Sequence, residues 1–385
     1  MITIFSPLHV KAKRGSPPRG MSLIETMVGM VIGILVTLIV TQVWSNFEGQ
    51  KQRTVSSSSA QTSGLLALTE LELDIRNAGA GLTNSAAFDC TNTLSYYETG
   101  GTTISPIPAY AGGLSMLPVQ ITDGGAGSDI LTVKRSGDLL GALPATIMQP
   151  MPSSSAELNI SSTAGFADGD VVLSVDSTTG NCTVMLVTQV QGAALKLQHN
   201  PGGTTTYNPS NSFQNANGWP GYSTGAKILK VGQLISHAYT VNGSNQLALT
   251  DLSVPGVSTT SVLATDIVKI KAQYGIADAG TQNVNDWVNA NTATGWDTLN
   301  SAKAKRIKAI RLVIVARSAK KETADVTAAC TNVSGGINSG PCAWSDTAAD
   351  PAPLIDLSSN SDWKKYRYRV YQTIIPIRNV IWAGV

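Results

Sequence analysis

Gly20-Met21-Ser22-Leu23-Ile24-Glu25 joins a basic leader to residues 26–47, a run of 22 positions without a charge. As a helix that run is about 33 Å long, enough to span a hydrocarbon core. The one carboxylate, Glu25, stands at its mouth, where an ionised and unpaired acid costs a few kcal/mol in a bilayer. An acid so placed needs a chemical reason beyond packing.

Residues 1–20 read as a targeting segment. They carry Lys11, Lys13, Arg14 and Arg19 and no acid, and Pro17 and Pro18 prevent a continuous helix. Positive charge held on the cytoplasmic side directs the chain after the apolar run outward. An ordinary secretory peptide has an apolar region of roughly 7–15 residues followed by a small-residue cleavage site. Here the run is longer, and Ser45, Asn46, Phe47 and Glu48 supply no such site. The sequence therefore predicts a retained membrane anchor.

Arg19-Gly20-Met21-Ser22-Leu23-Ile24-Glu25-Thr26-Met27-Val28 resembles the type IV prepilin (class III) signal. The resemblance implies cleavage by a prepilin peptidase between Gly20 and Met21. It also implies N-methylation of Met21, where phenylalanine is usual, and makes Glu25 the family's signature acid. Charge chemistry fits that role. A free α-amine at Met21 has a pKa near 8 and is largely cationic. Paired with Glu25 of a neighbouring subunit, it costs much less in low dielectric than the two charges cost apart. The plainer alternative is a signal anchor whose Glu25 reaches the headgroups.

Beyond the apolar run, Leu65, Leu68, Leu71, Ile75 and Ala78 recur at helical spacing. They predict an amphipathic second half of the helix, residues 48–78, ended by Gly79 and Gly81. Ser56, Ser57, Ser58, Ser59 and Gly64 are poor helix formers and predict a weakened middle. Residues 79–385 are rich in Gly, Ser, Thr and Asn, with short apolar runs between turn signals, which is a β pattern. Strands are predicted at 130–134, 170–175, 183–190, 194–198, 227–231, 267–274, 307–316 and 366–375. A hairpin is predicted where Asn242-Gly243 separates 237–241 from 246–250. The fold class is α+β: a long N-terminal helix, membrane-spanning over 21–47, carrying a β-rich exported domain.

Further stretches sharpen the resemblance. Leu71-Glu72-Leu73-Asp74-Ile75-Arg76-Asn77-Ala78-Gly79, Asp129-Ile130-Leu131-Thr132-Val133, Gly165-Phe166-Ala167-Asp168-Gly169-Asp170-Val171-Val172-Leu173, Gln273-Tyr274-Gly275-Ile276 and Tyr368-Arg369-Val370-Tyr371 with Ile377-Arg378-Asn379 look like PilW-type minor pilins. Those proteins are similar in fold to the J-type pseudopilin of type II secretion. The resemblance implies a structural subunit of a tip complex that primes type IV pilus assembly and supports adhesion or motility. The partners it implies are prepilin peptidase, other minor pilins, the major pilin, a tip adhesin and inner-membrane lipid. It implies a single-pass inner-membrane protein with a periplasmic body before assembly, and a place in the pilus at the cell surface afterwards. A J-type pseudopilin is one alternative, disfavoured by chain length. A signal-anchored periplasmic binding protein or enzyme is the other.

All four cysteines, Cys90, Cys182, Cys330 and Cys342, follow the apolar run. An even number on the exported side points to two disulfides, for which three connectivities exist. The short Gly/Asn/Ser-rich loop between Cys330 and Cys342 favours that pair, at about 3 kcal/mol for its closure, and leaves Cys90 with Cys182. The spacing is wrong for paired zinc knuckles.

Catalytic chemistry finds little support. Without the leader only His199 and His237 remain, and no H-E-x-x-H pair, G-x-S-x-G elbow or P-loop is present. No catalytic residue, metal or cofactor is expected. The stretch after Asp278 aligns a single acid where a calcium loop needs several, and the Asp123/Asp129 and Asp168/Asp170 clusters read as turn chemistry. Lys364, Lys365, Arg367 and Arg369 interleave with Tyr366, Tyr368 and Tyr371, an arrangement that suits single-stranded nucleic acid. It also describes a half-exposed strand, which is the favoured reading. The net charge is +2, and losing the four cations of residues 1–20 leaves about −2. That is no electrostatic footprint for DNA, so no nucleic acid is expected as a partner.

Overall fold

A computed structural model of the protein describes residues 20, 22–82, 85–99, 102–104, 115–137, 142–153, 157–202, 206–254, 256–333, 335–344 and 351–382. The basic leader and Met21 lie outside the described residues. The chain divides into two compact units, 1–54 and 55–385.

In the first unit the described residues form the start of an α-helix whose full extent is Leu23–Asn77. By length and composition this helix can cross a membrane, and none of its most apolar window is buried. The architecture is α+β, the long helix preceding a body of mixed sheets.

In the second unit the helix carries a buried face of Ala60, Gly64, Ala67, Leu71 and Ile75. Leu71, Ile75 and Ala78 belong to the stripe read from the sequence, and Leu68 packs at its margin. Leu65 does not belong to it and is 48% exposed. The helix turns its small residues inward because the sheet lies too close for a leucine there. It also runs unbroken through Ser56, Ser57, Ser58 and Ser59. The propensity cost of such residues is a few tenths of a kcal/mol each, which tertiary packing readily overrides. The helix ends where predicted: Gly79 takes φ +73°, and its N–H donates to the Lys134 carbonyl.

Two antiparallel sheets share the helix-side core. The four-stranded sheet runs Val284–Val288, Ile267–Ala277, Ile307–Arg317, Tyr368–Pro376 in spatial order, and the five-stranded sheet runs Val257–Thr265, Gln246–Val254, Leu234–Val241, Ile130–Ser136, Val119–Thr122. Strand Ile307–Arg317 shows why its sequence is almost continuously apolar. Ile310, Leu312 and Ile314 enter the core that contains the helix, while Val313 and Val315 join Ala343, Ile355, Leu357 and Trp363 on the other face. A strand covered on both faces has no position for a polar alternation. The predicted hairpin forms, with a four-residue loop whose left-handed residue is Asn245 (φ 56°) rather than Gly243.

An eight-stranded sheet completes the unit. Seven of its strands come from one excursion of the chain, which leaves the five-stranded sheet at Ser136 and returns at Leu234. The eighth, Asn92–Leu94, adds in parallel to Asn181–Leu186. Beside this pairing Cys90 is bonded to Cys182, with a Cα–Cα distance of 5.7 Å. Cys330 is bonded to Cys342 with a Cα–Cα distance of 5.6 Å, within the segment that covers the outer face of the four-stranded sheet.

Candidate assembly site

The helix start is built for one charge and no others. Glu25 lies in the first turn, where backbone N–H groups and the helix dipole favour an acid. Around it Leu23 (76%) and Ile24 (73%) are exposed, and so are the apolar residues on every side of the helix as far as Trp44 and Phe47. An apolar surface that encircles a helix is what lipid or neighbouring helices cover. The three threonine hydroxyls in the run are satisfied internally. Thr26 Oγ1 donates to the Leu23 carbonyl at 2.9 Å, Thr37 Oγ1 to Gly33 at 2.7 Å and Thr41 Oγ1 to Leu38 at 2.9 Å. Back-bonded in this way, they present no unpaired donor to a hydrocarbon phase. Gly20 has open space around its Cα and precedes the helix.

The other groups singled out in the sequence have structural partners. His237 Nδ1 lies 2.8 Å from Asp74 Oδ2, which also accepts a 2.8 Å hydrogen bond from the Tyr239 hydroxyl. Arg135 Nε donates to Asp74 Oδ1 at 3.2 Å. Burial alone would raise the Asp74 pKa, but the hydrogen bond and charge of His237, with Tyr239 and Arg135, outweigh it and hold the carboxyl below its ordinary value. This cluster fastens the helix to two strands of the five-stranded sheet. The role of Asp74 is not legible locally, since its partners are 61 to 165 residues away in the chain. His199 is buried.

Asp129, 2% exposed, pairs with Lys271 Nζ at 2.7 Å and accepts from the N–H groups of Gly124 and Ala272. Lys269 Nζ reaches the Ala126 carbonyl, so two lysines of one strand grip the glycine-rich loop 123–129. Asp170 accepts from the Ala167 N–H, and Asp168 from that of Val190. Asp278 accepts from the Asn285 amide. These are turn and loop contacts. Among the described residues no group of three or more His, Cys, Asp or Glu could hold a metal ion.

In the C-terminal basic stretch, Arg367 pairs with Glu322, Lys365 with Asp362, and Lys364 lies over the Trp363 ring. The tyrosines divide between the faces of the sheet. Tyr368 packs with the outer cluster, whereas Tyr371 meets the helix.

The family model described as Type IV Pilus-assembly protein W (PilW) matches residues 237–379. No curated protein and no solved structure matches the chain. The matched stretch begins on the middle strand of the five-stranded sheet, takes in the whole four-stranded sheet, and ends at Asn379, whose amide donates to the Ala78 carbonyl at the helix end. Residues 237–379 are thus similar to the PilW family of type IV pilus-assembly proteins, and the long apolar helix that precedes the body fits a pilin-like protein.

Proposed function

We propose that the protein is a minor pilin of a type IV pilus, a structural subunit of the tip complex that primes assembly. In this reading prepilin peptidase cuts between Gly20 and Met21, and the new amine at Met21 is methylated. Residues 21–47 anchor the subunit in the inner membrane with the body in the periplasm, and in the filament Glu25 neutralises the Met21 amine of a neighbour. The observation that carries the reading is the isolated acid in the first turn of a helix whose next 22 residues are uncharged and exposed, on a chain whose C-terminal region matches a pilus-assembly family. The other minor pilins, the major pilin and a tip adhesin are the partners this role requires. No catalytic residue has a part in it.

Mass spectrometry of the mature N-terminus tests the first step, with a methylated Met21 as the expected result. An intact leader, or a cut after residue 47, would overturn it. Glu25→Val tests the second: cleavage continues and piliation falls. Normal piliation in that variant removes the amine-pairing role while leaving the processing step standing.

A further inference from the structure

The loop from Asp123 to Asp129 holds an amine and a carboxyl together in a dry site. Lys271 Nζ lies 2.7 Å from Asp129 Oδ1, and the two side chains are 5% and 3% exposed. The same nitrogen lies 3.3 Å from Asp123 Oδ1 and 2.6 Å from the Gly125 carbonyl oxygen. Asp123, at 27%, is the wetter of the two acids. Lys269 stands two positions earlier on strand Ile267–Ala277, on the same face, and sets a second ammonium beside the first by donating to the Ala126 carbonyl. Burial pushes the Asp129 pKa up, against the pull of Lys271 and of two backbone N–H groups.

We propose that Lys271 and Asp129 condense into an isopeptide bond, with Asp123 as the proton carrier. A proton passes from the Lys271 ammonium to Asp129 Oδ1, giving the neutral pair that burial favours. The Nζ lone pair then attacks Asp129 Cγ. The Ala272 N–H, which donates to Oδ2 at 2.9 Å, holds the charge that gathers on that oxygen. Asp123 takes a proton from Nζ and passes it to Oδ1, the Cγ–Oδ1 bond breaks, and water leaves past the exposed residues Gly124, Gly125 and Gly127. One ammonium and one carboxylate become one amide and one water, and Asp123 ends as it began.

The product fits the hydrogen bonds already in place. Oδ2 remains as the amide carbonyl and keeps the Ala272 N–H, and the new N–H has the Gly125 carbonyl and Asp123 as acceptors. Only the Gly124 N–H, which donates to Oδ1 at 3.0 Å, loses its acceptor, and in that exposed loop water replaces it. A salt bridge here carries the desolvation cost of two charges, which the neutral amide does not. The bond joins the entry of strand Ile130–Ser136 to the four-stranded sheet across 142 positions of chain. The excursion between Ser136 and Leu234 then lies inside a closed covalent ring, so a pull along the chain bypasses it. The inference is independent of the pilin reading, because it uses only the body of the protein.

The test is peptide mapping of the full-length protein, purified in detergent and then denatured and reduced. The expected result is a tryptic peptide in which Asp129 and Lys271 are joined, lighter than the sum of its two chains by one water, with no cleavage after Lys271. Lys271→Arg keeps a cation beside Asp129 without an amine that condenses, and there the two peptides should run separately at full mass. Asp123→Asn should slow the appearance of the joined peptide after synthesis by at least roughly a hundredfold. Separate peptides at full mass in the wild type, with trypsin cutting after Lys271, overturn the proposal. Joining at the wild-type rate in Asp123→Asn overturns the part assigned to that carboxylate.

Discussion

The ring of Tyr371 occupies the space that a side chain at residue 64 would need. A Cβ on Gly64 would lie 2.1 Å from Tyr371 Cε2, and the Tyr371 hydroxyl donates to the Gln61 carbonyl at 3.2 Å. The helix and the outer strand of the four-stranded sheet thus meet backbone to ring. Gly64→Ala gains about 1 kcal/mol of helix propensity but forces a methyl into a filled site, at roughly 1–3 kcal/mol. Net destabilisation is expected in urea denaturation, and Tyr371→Leu in the same chain should remove most of it.

Asp74 couples the same helix to the five-stranded sheet. Replacing it with Asn leaves Arg135 and His237 without their anion, and breaking a buried pair of this kind costs on the order of 3 kcal/mol. The carboxyl's pKa is depressed on folding from an ordinary 3.8, so its contribution is fully present above about pH 4 and is lost as pH falls through the lower folded value. The stability difference between wild type and Asp74→Asn should shrink as pH falls below about 4. A difference that does not change with pH would show that the carboxylate charge is not what matters.

Lys134 gives the opposite pH signature. Its side chain is fully buried, its ammonium donates to the Ser115 carbonyl, and burial pushes its pKa down to about 7 from 10.5. Between these values the unfolded chain binds the extra proton, so stability should rise with pH from about 7 to 10.5, by at most about 1.4 kcal/mol per unit. Lys134→Met should abolish that rise, as followed by thermal melting across the same range.

The two disulfides should differ in weight. By loop closure alone, Cys330–Cys342 contributes about 3 kcal/mol and Cys90–Cys182, which closes a loop of 92 residues in sequence separation, roughly 4.5 kcal/mol. Double serine variants compared by calorimetry should rank in that order. The Cys90/Cys182 variant should also loosen hydrogen-exchange protection in Asn181–Leu186, where the bond joins the excursion to the segment after the helix.

The sequence made some of this legible and hid the rest for physical reasons. The helix, its glycine stop and most strands follow from local periodicity and turn residues, and the structure places strands at each stretch where they were predicted. The helical spacing of apolar residues placed Leu65 on the inward face, where it does not lie. The real face is set by how closely Tyr371 approaches, a fact about a partner more than three hundred residues away. The same limit hid the Asp74 cluster and the lysine grip on loop 123–129. The alternation of Tyr and Arg was read as a simple two-sided strand, but Tyr368 and Tyr371 stand three positions apart and therefore face opposite ways. The acid at Glu25 was conspicuous for the contrary reason: its meaning lies in the residues adjacent to it.

Ser136 and Leu234 face each other across a strand pair, although almost a hundred residues separate them. A detour whose two ends already touch leaves the register of the two flanking strands intact, while Cys182 and strand Asn181–Leu186 tie it to the segment after the helix. The parts of it that touch neither Cys90 nor strand Asn92–Leu94 can be trimmed or enlarged while the register on either side stays fixed. The family match starts only after the detour closes. A different module grafted between Ser136 and Leu234 should leave the helix-bearing body folded only if it supplies partners for Cys90 and for strand Asn92–Leu94.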